Sequence, residues 1–296
     1  MKALDNKTNG LLNFSDFSKW RYKALYLAMF LFILLISLCA LLPIVWVFLS
    51  GFKSTEEMYR IPPTLFPSKI EFSAVVNVWD RINFGSAYLN SLCLILGCLT
   101  FDICFNGMLG YVLSRVKPSG SGVIDTLVFW SMLLPGISMV QLYMTFVDMP
   151  VFHINLSGNY FPLWLMAGCN AFNVLLFRSF FNGIPMSYME AAWMDGASNL
   201  RIFFSIILPL SVPIIAVVTI FSVTTTWSNF MWPYLLLGST PYEPVSVKLY
   251  QLSSSGKLQD NELMLATMFS IIPPVIFYSF FSKKIMGGLN MSGIKG

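Results

Sequence analysis

Few side chains in this sequence could perform acid–base or metal chemistry. Its 296 residues include one histidine, His153, which we interpret as a surface residue, and no pair of acidic residues in a pocket-like context. The five cysteines lie in apolar stretches without metal-ligand spacing, so we interpret them as packing residues. They are Cys39, Cys93, Cys98, Cys104 and Cys169. The sequence therefore predicts no catalytic residue, no metal site and no cofactor held by this chain.

A second group of polar side chains lies within apolar stretches and could recognise a hydroxyl-rich molecule. Amides form hydrogen bonds with hydroxyl groups, and aromatic rings pack against the C–H faces of sugars. The candidate pathway residues are Gln141, Asn170, Asn173, Thr225, Trp227 and Asn229, with Thr224 and Thr226 beside them. Each of them alone could instead be a contact between packed helices.

The composition places these residues in a membrane protein. The sequence is 56% hydrophobic and only 11% charged, which leaves too little polar surface to cover a water-soluble globule of this length. A bilayer core requires about 20 apolar residues per helix. The sequence contains six such windows, at about 24–49, 86–113, 123–147, 161–179, 211–236 and 262–282. We therefore predict an all-α polytopic fold with six transmembrane helices, of which the third and fifth are interrupted by proline.

Asp102 is the most costly of the polar residues in these windows. An aspartate at the centre of a bilayer costs about 2.5 to 3.5 kcal/mol on insertion scales, so it requires a partner. Asn106 is the nearest one in sequence, one helical turn later. A proton relay would need further ionisable groups at the same depth, and the other windows lack them. We favour a structural hydrogen bond for Asp102, with a role in a transport path as the alternative.

Lysine and arginine residues predict the orientation, because basic residues next to a spanning helix resist translocation. If both termini are cytoplasmic, 12 of the 18 basic residues lie in inner segments. We therefore predict a cytoplasmic N-terminal segment at 1–23 and one six-helix membrane domain at 24–296. The net charge of +4 reflects this topology and gives no reason to expect nucleic-acid binding.

Two outer connections are long. Within 52–85, Phe72, Val75, Val76 and Trp79 recur at helical spacing, which predicts a helix on the outer membrane face. Residues 237–261 are rich in proline, serine and glycine and are predicted to form a loop. This loop could be a solvated connector or a finger that reaches into a docked partner, and the residues leave the two alternatives level. The tip of such a finger would be Ser253, Ser254, Ser255 and Gly256.

A polar loop at about 182–210 separates the fourth and fifth windows. Asn182 or Gly183 can cap a helix that has Pro185 in its first turn. Met186, Met189 and Trp193 form an apolar stripe along that helix. A helix of about two turns is unstable alone, so its stripe must be covered, and a partner protein could provide the cover.

Gly196 can adopt the left-handed conformation that ends this helix, and Ser198 can cap the next one. Pro209 and Pro213 separate the second helix from the fifth window. The loop is therefore predicted to run as helix, hinge, helix and membrane span.

The spacing within this loop is a specific pattern. Glu190-Ala191-Ala192, Gly196 and the Ile206-x-Leu208-Pro209 end resemble the cytoplasmic EAA loop of binding-protein-dependent ABC importer permeases. Further residues look like the MalG-type branch of carbohydrate permeases, and together the matches cover most of 86–296. They are Asn90-Ser91, Tyr111 to Arg115, Trp227-Ser228-Asn229, Gly288-Leu289 and Gly293 to Gly296.

This resemblance implies a MetI-like permease fold with a cytoplasmic EAA coupling helix, in the cytoplasmic membrane of a bacterial cell. It also implies a second homologous permease subunit, a dimer of ATPase subunits that carry ATP and Mg, and an extracytoplasmic solute-binding protein that delivers an oligosaccharide. The residues implied to contact the ATPase are Met186, Met189, Glu190, Ala191, Ala192, Trp193, Asp195 and Gly196. The fourth and fifth windows would lie beside the translocation route, where the partner permease could make most sugar contacts.

The alternatives to a sugar permease differ in class. The sequence lacks the G-x-x-x-x-G-K-[ST] phosphate loop, so ATP hydrolysis is expected in separate subunits and this chain is predicted not to be an enzyme. A permease for a polyamine, osmolyte or peptide could share the EAA pattern. A membrane-embedded enzyme would need ionisable groups clustered at one depth, and an independent channel would conduct without ATP.

Overall fold

The protein is helical throughout the part of the chain that is described. A computed structural model describes residues 20–70, 72–133, 139–147 and 154–291, except for the side chains of 139–142 and 282–291. The predicted all-α fold is confirmed, since no β-strand occurs in these ranges. The helices are α1 (Trp20–Ser50), α2 (Thr55–Met58), α3 (Phe72–Ile82), α4 (Phe84–Val116), α5 (Ser121–Ser131), α6 (Met139–Val147), α7 (Phe161–Ala167), α8 (Ala171–Asn182), α9 (Ser187–Met194), α10 (Asn199–Leu210), α11 (Val212–Ser228), α12 (Met231–Leu237), α13 (Val245–Ser254) and α14 (Asp260–Met291).

Among the described residues, three helices are long and apolar enough to cross a membrane. They are α1, α4 and the Asp260–Phe281 part of α14. Two bent pairs also qualify if each is taken as one span, namely α7 with α8 at 45° and α10 with α11 at 83°. The predicted third span corresponds to α5 and α6, which flank residues outside the described ranges. The prediction of six spans therefore stays a prediction.

Helix α4 is the centre of the bundle, and glycines let its neighbours approach closely. It packs against α7, α8, α11 and α13. A Cβ at Gly97 would lie 2.1 Å from ring atoms of Trp164, and a Cβ at Gly110 would lie 2.8 Å from the Cβ of Phe177. Small residues at such crossings are typical of helix contacts in membranes. Any larger side chain at these two positions would displace α7 or α8.

Helix α1 differs from the rest of the bundle. It packs against α14, and nearly all of its side chains are exposed in the isolated chain. Its sequence is apolar on every face, which suits contact with lipid or with another apolar chain.

The connection at 52–85 contains the predicted helix, as α3. Its buried residues Val78 and Ile82 join a cluster with Phe84 and with Leu265 of α14. Arg81 forms a 3.1 Å ion pair with Glu262. Helix α3 is therefore held to the start of α14.

A short polar network closes the turn after α2. The Glu57 carboxylate accepts hydrogen bonds from the Ser68 amide (3.0 Å), the Ser68 hydroxyl (2.7 Å) and the Thr64 hydroxyl (3.0 Å). Lys53 donates to the Thr64 carbonyl and lies 4.4 Å from the centre of the Trp46 ring. These contacts anchor residues 60–68 although they form no regular element.

The prediction that 237–261 is a loop is wrong, because these residues contain the ten-residue helix α13. Val245 and Val247 are buried, and the Val245 amide donates to the Ser91 hydroxyl of α4 at 3.0 Å. Asn90 donates to the carbonyls of Pro241 and Glu243 at 2.8 and 3.0 Å. Contacts with α4, which local composition does not encode, therefore stabilise a helix in a proline- and serine-rich segment.

Candidate functional site

A cavity of about 420 Å³ lies between α4, α7, α8, α11 and α12. Its lining combines amides, hydroxyl groups and aromatic rings, which is typical of a site for a small polar molecule. The polar residues among the described lining are Asp102, Asn170, Asn173, Ser222, Thr225, Thr226 and Asn229, and the aromatic ones are Phe172, Phe221 and Trp232.

Asp102 contributes a buried carboxylate to this cavity. The side chain of Asn106 donates to its Oδ1 at 2.7 Å, which confirms the partner predicted from the sequence. Asn173 of α8 donates to both carboxylate oxygens, at 2.9 and 2.8 Å. The hydrogen bonds satisfy the carboxylate, but its place in the cavity wall also fits the alternative role in a transport path.

Local backbone geometry directs these groups inward. Residues Asp102–Asn106 form a π-helical turn within α4, a wider turn that often occurs at functional sites. The Asn106 side chain donates to the Ala167 carbonyl at 2.9 Å and accepts from the Asn170 amide at 3.0 Å. Asn106 thereby connects α4 to both residues that flank the break between α7 and α8. Asn170 caps α8, because its side chain accepts a hydrogen bond from the Asn173 amide at 3.2 Å.

The predicted pathway residues divide into three groups. Asn170, Asn173, Thr225 and Asn229 line the cavity together. Trp227 is not part of the lining and packs instead against the cluster around Val78 and Leu265, with its ring centre 6.3 Å from that of Tyr88. The side chain of Gln141 lies outside the described residues.

Two lining residues of α11, Phe221 and Ser222, were not predicted from the sequence. Ser222 and Phe221 lie one turn before Thr225, and the spacing of 222, 225 and 229 follows one helical face. That periodicity was the available signal for Ser222. Phe221 has no such signal, because apolar residues occur on every face of this helix.

The polar loop at 182–210 contains a helix that begins later than predicted. Helix α9 starts at Ser187, so Pro185 precedes the helix, and Gly183 follows the end of α8. The prediction that Asn182 or Gly183 caps this helix is therefore wrong. Gly196 has a φ of +77°, and Ser198 caps α10 by accepting from the Arg201 amide at 3.4 Å. The predicted order of helix, hinge and helix is present, and an 83° bend separates α10 from α11.

The apolar stripe of α9 is covered in part by this chain itself, at Met189. Met189 is fully buried and Ala192 is 7% exposed, in a cluster that includes Phe177, Ile202 and Phe203. The expectation that a partner could cover Met189 is therefore wrong. Two of the residues predicted to contact the ATPase, Met189 and Ala192, face this core.

The opposite side of α9 is open. Met194 is 89% exposed and Tyr188 is 50% exposed. Trp193 is 38% exposed and donates to the Asn199 side chain at 3.0 Å, across the Gly196 turn. The exposed surface, which we call the α9 face, consists of Tyr188, Glu190, Ala191, Trp193, Met194 and Asp195.

Arg115 ties the end of α4 to the start of this loop. Its Nε donates to the Phe181 carbonyl at 2.8 Å, and its Nη2 donates to the carbonyls of Phe181 and Ile184. These carbonyls lie at the C-terminal end of α8 and in the turn before α9, where helical partners are missing. The guanidinium therefore joins three segments.

The four residues predicted at the tip of the outer finger lie at the end of α13. Ser253 and Ser254 close the helix, Ser255 follows it, and Gly256 has a φ of +62°. All four are exposed. Among the described residues, no group of three histidine, cysteine or acidic side chains could hold a metal ion.

Comparison with known proteins decides the family. Residues 106–286 match the family model described as binding-protein-dependent transport system inner membrane component. The chain belongs to this family. As a binding-protein-dependent transport component it is a membrane permease of an ABC importer, a transport subunit and not an enzyme, which confirms the resemblance noted from the EAA spacing.

Curated relatives of this inner membrane component span nearly its whole length. It is 30% identical to the arabinooligosaccharides transport system permease protein AraQ of Bacillus subtilis (strain 168), over 91% of this chain and 96% of the relative. It is 28% identical to the polygalacturonan/rhamnogalacturonan transport system permease protein YtcP of the same organism, over 90% and 96% of the two chains.

A solved structure supports the fold of this chain. A chain of a bacterial ABC transporter involved in the import of the acidic polysaccharide alginate superposes with a TM-score of 0.79 at 25% identity, covering 90% of this chain and 98% of that one.

Proposed function

We propose that this permease subunit imports an oligosaccharide or a related sugar, and that the cargo passes through the cavity beside Asp102. The cavity lining carries the proposal, because the amide and hydroxyl groups of Asn170, Asn173 and Thr225 line the same cavity as aromatic rings, those of Phe221 and Trp232. Sugars require this combination of hydrogen bonds and aromatic faces. The names of the curated relatives, which refer to saccharides, support the same class of cargo.

Uptake by the reconstituted complex tests the cargo. Proteoliposomes that contain the complex and its binding protein are given labelled arabinotriose, galactotriose, spermidine, glycine betaine and a dipeptide, with and without internal ATP. We expect ATP-dependent uptake of a saccharide. Uptake of spermidine, betaine or the dipeptide without any saccharide would instead favour a permease for another small solute.

Thiol labelling tests the route. In a cysteine-free background, Thr225→Cys in the cavity wall should react with a small polar methanethiosulfonate reagent and be protected by the transported sugar. Thr224→Cys is the matched control, because Thr224 is the adjacent exposed residue and does not line the cavity. Equal protection at both positions, or at neither, contradicts a route through this cavity.

We further propose that the α9 face contacts an ATPase dimer on the cytoplasmic side. An exposed, partly apolar helix surface beside a glycine hinge suits a docking site, and ATP-driven closure of the ATPase could move α9 as a lever. In this arrangement both termini are cytoplasmic, in agreement with the excess of basic residues in the inner segments. A second permease completes the translocation path in the cytoplasmic membrane.

Two substitutions test the lever. Gly196→Pro is incompatible with the φ of +77°, and Glu190→Lys reverses a charge on the α9 face. Both should abolish sugar uptake and sugar-stimulated ATP hydrolysis. Glu56→Lys, an equivalent reversal on the outer side, is the control. If uptake and stimulated hydrolysis both survive the two changes, the lever assignment is wrong.

We also propose that the end of α13, at Ser253, Ser254, Ser255 and Gly256, contacts the solute-binding protein. Its exposure beside the outer end of the bundle supports this contact. Ser254→Arg should lower ATP hydrolysis stimulated by the binding protein while the complex still assembles. Unchanged stimulation over a full titration of the binding protein contradicts the contact.

A further inference from the structure

The cavity wall contains one acidic side chain. Asp102 is the one formally charged side chain among the described residues of its lining. Its direct partners are neutral: the amides of Asn106 and Asn173, which donate to the carboxylate oxygens, and the Ser222 hydroxyl. The amide donors reach both carboxylate oxygens, and hydrogen bonds donated to a carboxylate favour its ionised form.

The basic residues of the neighbouring helices are committed to other groups. Arg178 of α8 forms a 2.6 Å ion pair with Asp125 of α5. Arg115 of α4 binds the carbonyls of Phe181 and Ile184. Neither residue lines the cavity, so hydrogen bonds satisfy Asp102 but do not neutralise its charge.

We propose that Asp102 makes this cavity selective for neutral, hydroxyl-rich saccharides over saccharides that carry carboxylates. A cavity of about 420 Å³ holds any bound sugar ring close to Asp102, where surrounding apolar groups screen charge weakly. A uronate there meets a like charge, whereas a hydroxyl group does not. The inference rests on the proposed passage of sugar through the cavity. It separates classes that the relatives' names leave open, since these include both arabinooligosaccharides and polygalacturonan.

Three trisaccharides of matched size provide the test. Galactotriose carries hydroxymethyl groups where trigalacturonate carries carboxylates, and the methyl ester of trigalacturonate restores neutrality on the same skeleton. Binding is measured by calorimetry on the purified complex in nanodiscs, without the solute-binding protein, so that selection by that protein does not enter. We expect galactotriose and the methyl ester to bind at least about tenfold more tightly than trigalacturonate.

A charge-removing variant assigns the selectivity to Asp102. Asp102→Asn should bring the affinity for trigalacturonate to within about threefold of that for its methyl ester. Asp80→Asn, which removes an exposed carboxylate on α3, should leave the wild-type ratio unchanged. The comparison among the three sugars on the wild-type complex needs no variant, so a folding defect in Asp102→Asn leaves that part of the test intact.

Distinct results overturn this inference and the proposed function. Trigalacturonate binding to the wild-type complex as tightly as its ester overturns the charge selectivity, while sugar uptake by the complex would still stand. An unchanged ratio in a folded Asp102→Asn complex also overturns it. So does absence of binding by all three sugars from a complex that transports saccharide. Failure of the complex to transport any saccharide would instead remove the proposed cargo.

Discussion

The Asp102 carboxylate is stable inside an apolar bundle because amide groups from two helices donate hydrogen bonds to it. Asn106 lies on its own helix and was predictable from the sequence, since the two residues are one turn apart. Asn173 was identified as a pathway residue, but its contact with Asp102 depends on the packing of α8 against α4. The polar cluster is therefore both a structural link and part of the cavity wall.

Asn173→Ala should destabilise the protein by about 1 to 3 kcal/mol, because it removes donors from a buried carboxylate. The thermal unfolding midpoint of the detergent-solubilised complex measures this effect. Asn77→Ala on the exposed side of α3 is the matched control and should change the midpoint little. Equal midpoints for the two variants would show that Asn173 is not needed to satisfy Asp102.

The hydrogen bonds of Glu57 should make the stability of the turn after α2 depend on pH. The side-chain hydrogen bond from Ser68 is the main cause that lowers the pKa of this carboxyl below its ordinary value of 4.5. The folded turn therefore binds fewer protons than the unfolded one between the two pKa values. Its stability is fully present above pH 4.5 and falls as the pH drops through the lowered folded-state pKa.

Hydrogen exchange at the Ser68 amide measures this dependence. Protection should be constant from neutral pH to about 5 and should decrease below the ordinary glutamate pKa, after correction for intrinsic exchange. Glu57→Gln should weaken protection already at neutral pH. Glu56→Gln, at the exposed neighbouring position, should behave like the wild type. Loss of protection that begins above pH 5 would point to another group.

The helices show which parts of the fold local sequence determines. Helix α3 and the hinge at Gly196 were predicted because their signals are local: apolar spacing in the first case, and a glycine followed by a serine cap in the second. Helix α13 was missed because it depends on Ser91 and Asn90 of α4, far away in sequence. The cover over Met189 was wrongly assigned for the same reason, since it comes from α8 and α10.

The crossing of α4 and α8 should tolerate no side chain at Gly110. A Cβ there would also lie 3.1 Å from the Val174 carbonyl, so Gly110→Ala must push two backbones apart, at a cost of about 1 to 3 kcal/mol. Gly122→Ala on α5 is the control, because its Cβ would meet nothing within 4 Å and alanine favours a helix. Thermal unfolding of both variants measures the difference, and a neutral Gly110→Ala would contradict the tight crossing.

The bundle joins the cavity to the α9 face through one continuous helix. Asp102 and Arg115 both belong to α4 and lie about 20 Å apart along its axis, given 1.5 Å per residue. Asp102 faces the cavity, while Arg115 holds the turn before α9. Displacement of α9 can therefore reach the cavity wall without passing through a flexible connection.

Arg115→Lys should weaken this connection, because an ammonium group cannot bridge the two carbonyls as the guanidinium fork does. We expect sugar uptake per ATP hydrolysed to fall by about tenfold, as a loss of roughly 1.4 kcal/mol of coupling would produce. Arg60→Lys in the exposed outer connection is the control. Unchanged uptake per ATP in a folded Arg115→Lys complex would exclude this connection.

The indole of Trp164 occupies the notch that Gly97 leaves in α4. Because the ring fills the place of a side chain, α7 cannot slide along α4 without first withdrawing from that notch. We therefore expect the two helices to move together during a transport cycle. Opening of the cavity would then come from its other walls, α8, α11 and α12, or from a neighbouring subunit, moving relative to this pair.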